Sequence, residues 1–174
     1  FGRLDTALID VQTGPRLAVL PDHIYGLSYR PYVGATGINL GGFNYLSQQT
    51  LGNSLAWVPT PGWNFEVGLE RIRRAFHNST EYANVEIQSG MQTSGYTNLA
   101  GPLFAGWNWS LRATLADHNA QEAWQSYRQR SVELSLSYAT NVKILGASRR
   151  VTFIPFAGYL ETYYNEPDAI VDPT

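Results

Sequence analysis

Fourteen residues, LFAGWNWSLRATLA from Leu103 to Ala116, alternate with a period of two: Leu103, Ala105, Trp107, Trp109, Leu111, Ala113 and Leu115 are apolar, and Asn108, Ser110, Arg112 and Thr114 lie between them. Side chains of an extended chain point alternately to two faces, so this pattern predicts a long strand with one apolar and one mostly polar face. Trp63 to Arg71 repeats it, with Trp63, Phe65, Val67 and Leu69 set against Asn64, Glu66, Gly68 and Glu70. Ala83 to Thr93 and Arg130 to Asn141 follow the same rule, the latter with Val132, Leu134, Leu136 and Tyr138 opposite Ser131, Glu133, Ser135 and Ser137. Weaker alternation predicts further strands over His23 to Ala35, Gln49 to Val58 and Arg150 to Tyr163, and the segment around Leu4 to Leu20 reads as one more strand or an irregular lead-in.

The connections fall into two sets that an antiparallel meander would place at opposite ends. Pro21-Asp22, Pro59 to Gly62, Ser94 to Pro102 and Val142 to Arg149 form one set. Thr36 to Gln48, Ala75 to Tyr82 and Asp117 to Ser126 form the other, longer and polar. A helical stripe, Phe65, Leu69, Ile72 and Phe76, competes in one segment, and NAQEAWQSYRQR (119–130) carries good helix formers in another; the first is the one with a stripe to weigh. That stripe leaves Trp63 and Val67 unexplained and follows a turn with two prolines, which favours the strand. The fold expected is therefore all-β: an antiparallel up-and-down transmembrane β-barrel, or a part of one with about 6–8 strands, forming a single region over residues 1–174.

Alternation alone does not say whether the apolar face looks inward, as in a soluble barrel or sandwich, or outward into lipid. The polar face favours lipid. Charged residues make up only 15% of the chain, and the polar positions carry Gly, Ser, Asn, Gln and Thr with a few Glu and Arg, a composition suited to a polar lumen rather than a solvated surface. No apolar run reaches the roughly 18–20 residues of a membrane helix, but a barrel strand needs only about 9–11. Phe65, Val67, Leu69, Trp107, Trp109, Leu111, Leu134 and Leu136 are then the lipid-facing residues. In WVPTPGW, Trp57 and Trp63 flank a turn, and these two with Tyr82, Tyr127 and Tyr138 are expected at the membrane interfaces, where an amphipathic ring finds both apolar and polar surroundings. The soluble alternative is a lipocalin-like or sandwich module that packs the same aromatics around an apolar ligand.

The runs TGPRLAV (13–19), SYRPYVGATGINLGG (28–42), GNSLAWVPTPGW (52–63) and SYRQRSVELSLSYA (126–139) resemble the barrel region of bacterial outer-membrane proteins in which a tetratricopeptide-repeat region precedes a β-barrel, the surface lipoprotein assembly modifier type. The resemblance implies export or surface display of protein. It is one of texture, and two features of the sequence depart from it: no helical repeat precedes the strands, and the final NEPDAIVDPT does not read as a terminal strand closing on an aromatic residue. A single-chain bacterial barrel has at least eight strands and both termini on the periplasmic side, so residues 1–174 are expected to be part of a longer chain or to be completed by other copies.

On the polar face, Glu66, Glu70, Glu86, Arg112 and Glu133 are expected to form a lumenal charge network, either selecting solutes or neutralising one another. Arg71, Arg73 and Arg74 lie where a strand leaves the apolar zone, within reach of lipid phosphate or of solvent. No catalytic, metal or cofactor site is expected. His23, His77 and His118 are separated, there is no cysteine, and GATGINLGG (34–42) lacks the Lys-Ser/Thr of a phosphate loop. A hydrolase or acyltransferase at the rim would need His77 or His118 beside a loop serine such as Ser79 or Ser126. Twelve Lys and Arg against 14 Asp and Glu, with no basic block, argue against nucleic acid. The partners expected are membrane lipid and an exported protein or a small polar solute.

Overall fold

A computed structural model describes residues 6–21, 24–144 and 147–165. Ten strands, Thr6–Thr13 (β1), Leu17–Ala18 (β2), Leu27–Leu40 (β3), Phe43–Trp57 (β4), Asn64–Phe76 (β5), Gly90–Pro102 (β6), Trp107–Ala120 (β7), Tyr127–Ile144 (β8), Ala147–Phe153 (β9) and Phe156–Tyr164 (β10), form one antiparallel up-and-down sheet. Only two short 3-10 turns, Val85–Gln88 and Ala123–Gln125, interrupt the all-β architecture of the described residues.

Prolines make ten strands out of what is an eight-stranded meander in register. β1 and β2 both pair with β3, and the register is the same on either side of their break, so that Gly14-Pro15-Arg16 lies opposite Arg30-Pro31-Tyr32. Neither facing proline has an N–H to donate, and the ladder lapses there. β9 and β10 likewise share one register along β8, parted at Ile154-Pro155, where the Pro155 carbonyl still accepts from the Leu136 N–H at 2.9 Å. The sheet is open: β1 and β10 are its edges and are not paired with each other.

Period two predicted β5, β7 and β8 with their faces correctly assigned. The helical reading of residues 64–76 fails, because every one of them lies in β5, and so does that of 119–130, which are the end of β7, a short 3-10 turn and the start of β8. Several boundaries differ from expectation. Leu103 to Gly106 is a turn rather than the start of a strand, with Ala105 and Gly106 at positive φ. Ser94 to Pro102 is the body of β6 rather than a connection. Thr36 to Gln48 is two strands joined at Gly41-Gly42, whose φ values of 58° and 83° suit a type I′ hairpin. Ala83 to Thr93 is no strand until Gly90. Asn84 at φ 62° leads into the 3-10 turn, which removes Glu86 from the sheet.

Burial reveals which face is concave. Tyr32, Ser54, Gln92, Ser94, Ala116 and His118, all at even positions of β3 to β7, are buried, with Ser54 at 3% and His118 at 2% exposure. The odd positions of the same strands carry Leu51, Val67, Leu69 and Leu115, exposed by 54–64%. β8 pairs odd with even residues of β7, so there Val132 and Leu134 share the exposed face. The sheet thus curls around its polar side, the geometry of a partial barrel turned inside out relative to a soluble one. Towards the open edges the concave face is uncovered, and Leu8, Phe156 and Leu160 are exposed on it.

Candidate functional site

Two features stand out, a belt on the convex face and a hydroxyl–carboxylate cluster on the concave one. The belt contains the expected apolar residues: Phe65, Val67 and Leu69 on β5, Trp107, Trp109 and Leu111 on β7, and Leu134 and Leu136 on β8 share one face through the register of β5 to β8. On β7 it runs from Trp107 to Leu115, nine residues, against the about 9–11 of a barrel strand in a bilayer.

Aromatic rings mark one border. Trp63 stacks on Phe65 at 5.9 Å and meets Trp109 edge-on at 6.3 Å, and Trp107 stacks on Tyr138 at 5.1 Å. Trp57 lies 5.7 Å from Phe65 and donates its indole N–H to the Tyr25 carbonyl at 3.1 Å. Gly101 makes room for the Trp63 ring, which a Cβ there would approach to 2.7 Å.

Both borders cross the hydrogen-bonding rows obliquely. The Trp57 row contains Leu134, yet the border aromatic on β8 is Tyr138, four residues further. At the other border Leu51 is level with Arg128, yet the last apolar residue on β8 is Val132, again four residues further. Four residues at about 3.3 Å each, over four strand spacings of about 4.8 Å, slope the belt by about 35°. Closed barrels tilt their strands by about 35–45°.

On the concave face the Tyr32 hydroxyl donates to Glu70 Oε1 at 2.5 Å and the Ser94 hydroxyl to Glu70 Oε2 at 3.4 Å. The Tyr96 hydroxyl donates to Glu66 Oε1 at 3.2 Å. Each ring lies over a cross-strand glycine, Tyr32 over Gly52 and Tyr96 over Gly68, where a Cβ would overlap it. The Arg112 guanidinium sits over the Tyr96 ring, 5.5 Å from its centre, and Arg30 sits likewise over Tyr32. Glu133 is the cross-strand partner of Arg112 and lines the same recess, but the two form no ion pair.

The expected charge network is therefore changed in kind. Glu66, Glu70, Arg112 and Glu133 share the concave face, but tyrosine and serine hydroxyls rather than ion pairs bind the carboxylates of Glu66 and Glu70, and Glu86 lies outside it in the 3-10 turn. Tyr32, Tyr96, Ser94, Gly52 and Gly68 were not foreseen, because their roles depend on register between strands rather than on any local motif. Of the aromatics expected at membrane interfaces, Trp57, Trp63 and Tyr138 lie on the convex face. Tyr127 turns instead to the concave side, 5.0 Å from the His118 ring and accepting from Arg74 Nη1 at 2.8 Å, and Tyr82 sits in a loop edge-on to Tyr45 at 5.4 Å.

The rim serines have local duties. The Ser126 hydroxyl accepts from the Ala120 N–H at 2.9 Å and that of Ser79 from the Tyr82 N–H at 3.0 Å. His118 Nε2 contacts the Gln88 carbonyl and His77 Nε2 the Ser47 hydroxyl, so neither histidine meets its expected serine. His23 lies outside the described residues. Comparison with known proteins returned no matching family model, no matching curated protein and no matching solved structure.

Proposed function

We propose that this chain is part of a bacterial outer-membrane β-barrel that serves as a passage or an export platform, its convex belt in lipid and its polar face lining the lumen. One observation carries the proposal: the apolar face is the exposed one, and its two borders slope together across the strands. A water-soluble sheet buries its apolar face, and nothing in water requires parallel borders. In a bilayer both properties follow, since lipid solvates the apolar side chains and the strands of a barrel tilt. The hydroxyl–carboxylate cluster suits hydrated cargo moving along the lumen without chemistry on it, and the resemblance to surface lipoprotein assembly modifiers favours protein as that cargo. Hydrocarbon also demands that the backbone groups at the two open edges be paired, by each other, by further strands or by another copy.

Dispersion without detergent or lipid tests the proposal. The protein is expected to aggregate on detergent removal and to insert into vesicles, which then release an entrapped polar solute or pass a protein across. A chain that stays monodisperse in buffer alone would instead be the soluble apolar-ligand module.

A further inference from the structure

We infer that the border of the belt away from the tryptophans is a docking surface for the phosphate groups of anionic lipids, an inference that rests on the membrane reading above. Four arginines stand there on the convex face, Arg71 and Arg73 on β5 and Arg128 and Arg130 on β8, and all four are exposed. Arg71 and Arg128 belong to one row, joined through Thr93 and Asp117, and are three strands apart, about 14 Å. The neighbouring arginines behave otherwise: Arg74 and Arg112 turn to the concave face, to Tyr127 and Tyr96.

Each pair continues an exposed aliphatic column. Leu69, 58% exposed, precedes Arg71 on the same face of β5, and Val132, 47% exposed, adjoins Arg130 on β8, with Leu115 in the cross-strand position. Aliphatic side chains capped by guanidinium groups match an amphiphile with acyl chains and an anionic head. Guanidinium takes a phosphate through two parallel N–H donors, a match that a single-point ammonium lacks. Three carboxylates oppose the four cations. Asp117 pairs with Arg128 at 2.9 Å, an exposed contact of little strength, Glu161 lies opposite Arg130, and Glu86 lines a recess beside Arg73. The patch keeps a net charge of about +1, whereas the opposite border is aromatic. This asymmetry directs the end bearing the Gly41-Gly42, 77–89 and 121–126 connections to the leaflet richer in phosphate.

Spin-labelled phosphatidic acid and spin-labelled phosphatidylcholine, compared around the full chain in phosphatidylcholine vesicles, test this. The wild type is expected to prefer phosphatidic acid, and the quadruple variant R71Q/R73Q/R128Q/R130Q to lose that preference by about tenfold or more. R149Q, at an exposed convex position near the opposite border, is expected to leave it unchanged. Free inorganic phosphate in excess is expected to displace little of the labelled lipid, because it lacks the chains that the aliphatic columns hold. Equal preference in wild type and quadruple variant, an equal loss in R149Q, or full displacement by free phosphate would overturn the inference. Failure of the wild type to insert would overturn the membrane reading beneath it; insertion without lipid preference would defeat the docking surface alone.

Discussion

Arginine in place of Leu134 is expected to destabilise the protein in a bilayer by about 2–4 kcal/mol, the range for a cation forced to the lipid face near mid-membrane. Leu134 lies in the row of Trp57, Phe65, Leu99 and Leu111, inside both borders of the belt on β8, and is 45% exposed. Ser131 is three residues away on the same strand but looks to the concave face, level with Thr114 and Tyr96. Arginine there is expected to cost a small fraction of the Leu134 value, since it meets hydroxyls and water. Denaturant unfolding from vesicles, followed by tryptophan fluorescence, compares the two directly. An equal loss at both positions would mean that the faces do not differ in solvent.

The second large effect concerns Gly52. Gly52→Val introduces a Cβ where the Tyr32 ring lies, and that ring has few places to go because its residue is only 4% exposed. Overpacking costs about 1–3 kcal/mol, and displacement of the ring also removes the 2.5 Å hydrogen bond to Glu70, a charged contact of about 1.5–3 kcal/mol. The expected total is about 3–5 kcal/mol. Adding Tyr32→Ser to Gly52→Val should recover the packing part but leave Glu70 short of a donor, so the double variant is expected to be more stable than Gly52→Val and less stable than wild type. Additive losses in the double variant would show that ring and glycine are energetically independent.

The faces of β5, β7 and β8 were legible because alternation is local: Phe65-Glu66-Val67 declares two sides without knowledge of any neighbour. What alternation lacks is a stop signal. Val85, Glu86 and Ile87 keep the period of two, yet Asn84 in the left-handed region turns them into a 3-10 turn, and Glu86 leaves the sheet with it. The Gly41-Gly42 hairpin was readable, since two glycines between alternating segments favour a type I′ turn, but the surrounding polar residues suggested a longer loop. The height of Tyr127 along its strand predicts a place near a border but says nothing of its face. Its odd position on β8, where odd residues face inward, assigns it to the concave side. The glycine–tyrosine pairs were beyond reach, because Gly52 and Tyr32 become neighbours only once β3 and β4 are in register.

Fluorophores attached one at a time at Leu111 and Ser110, in protein reconstituted with lipid-borne quenchers, test the inside-out arrangement most directly. Leu111 shares the belt row of Trp57 and Phe65, while Ser110 turns to the other face, 2.7 Å from the Ser135 hydroxyl. The expected result is strong quenching from the bilayer at Leu111 and little at Ser110, with a water-soluble quencher favouring Ser110. Leu111 shielded from the lipid quencher, or both positions responding alike, would contradict it.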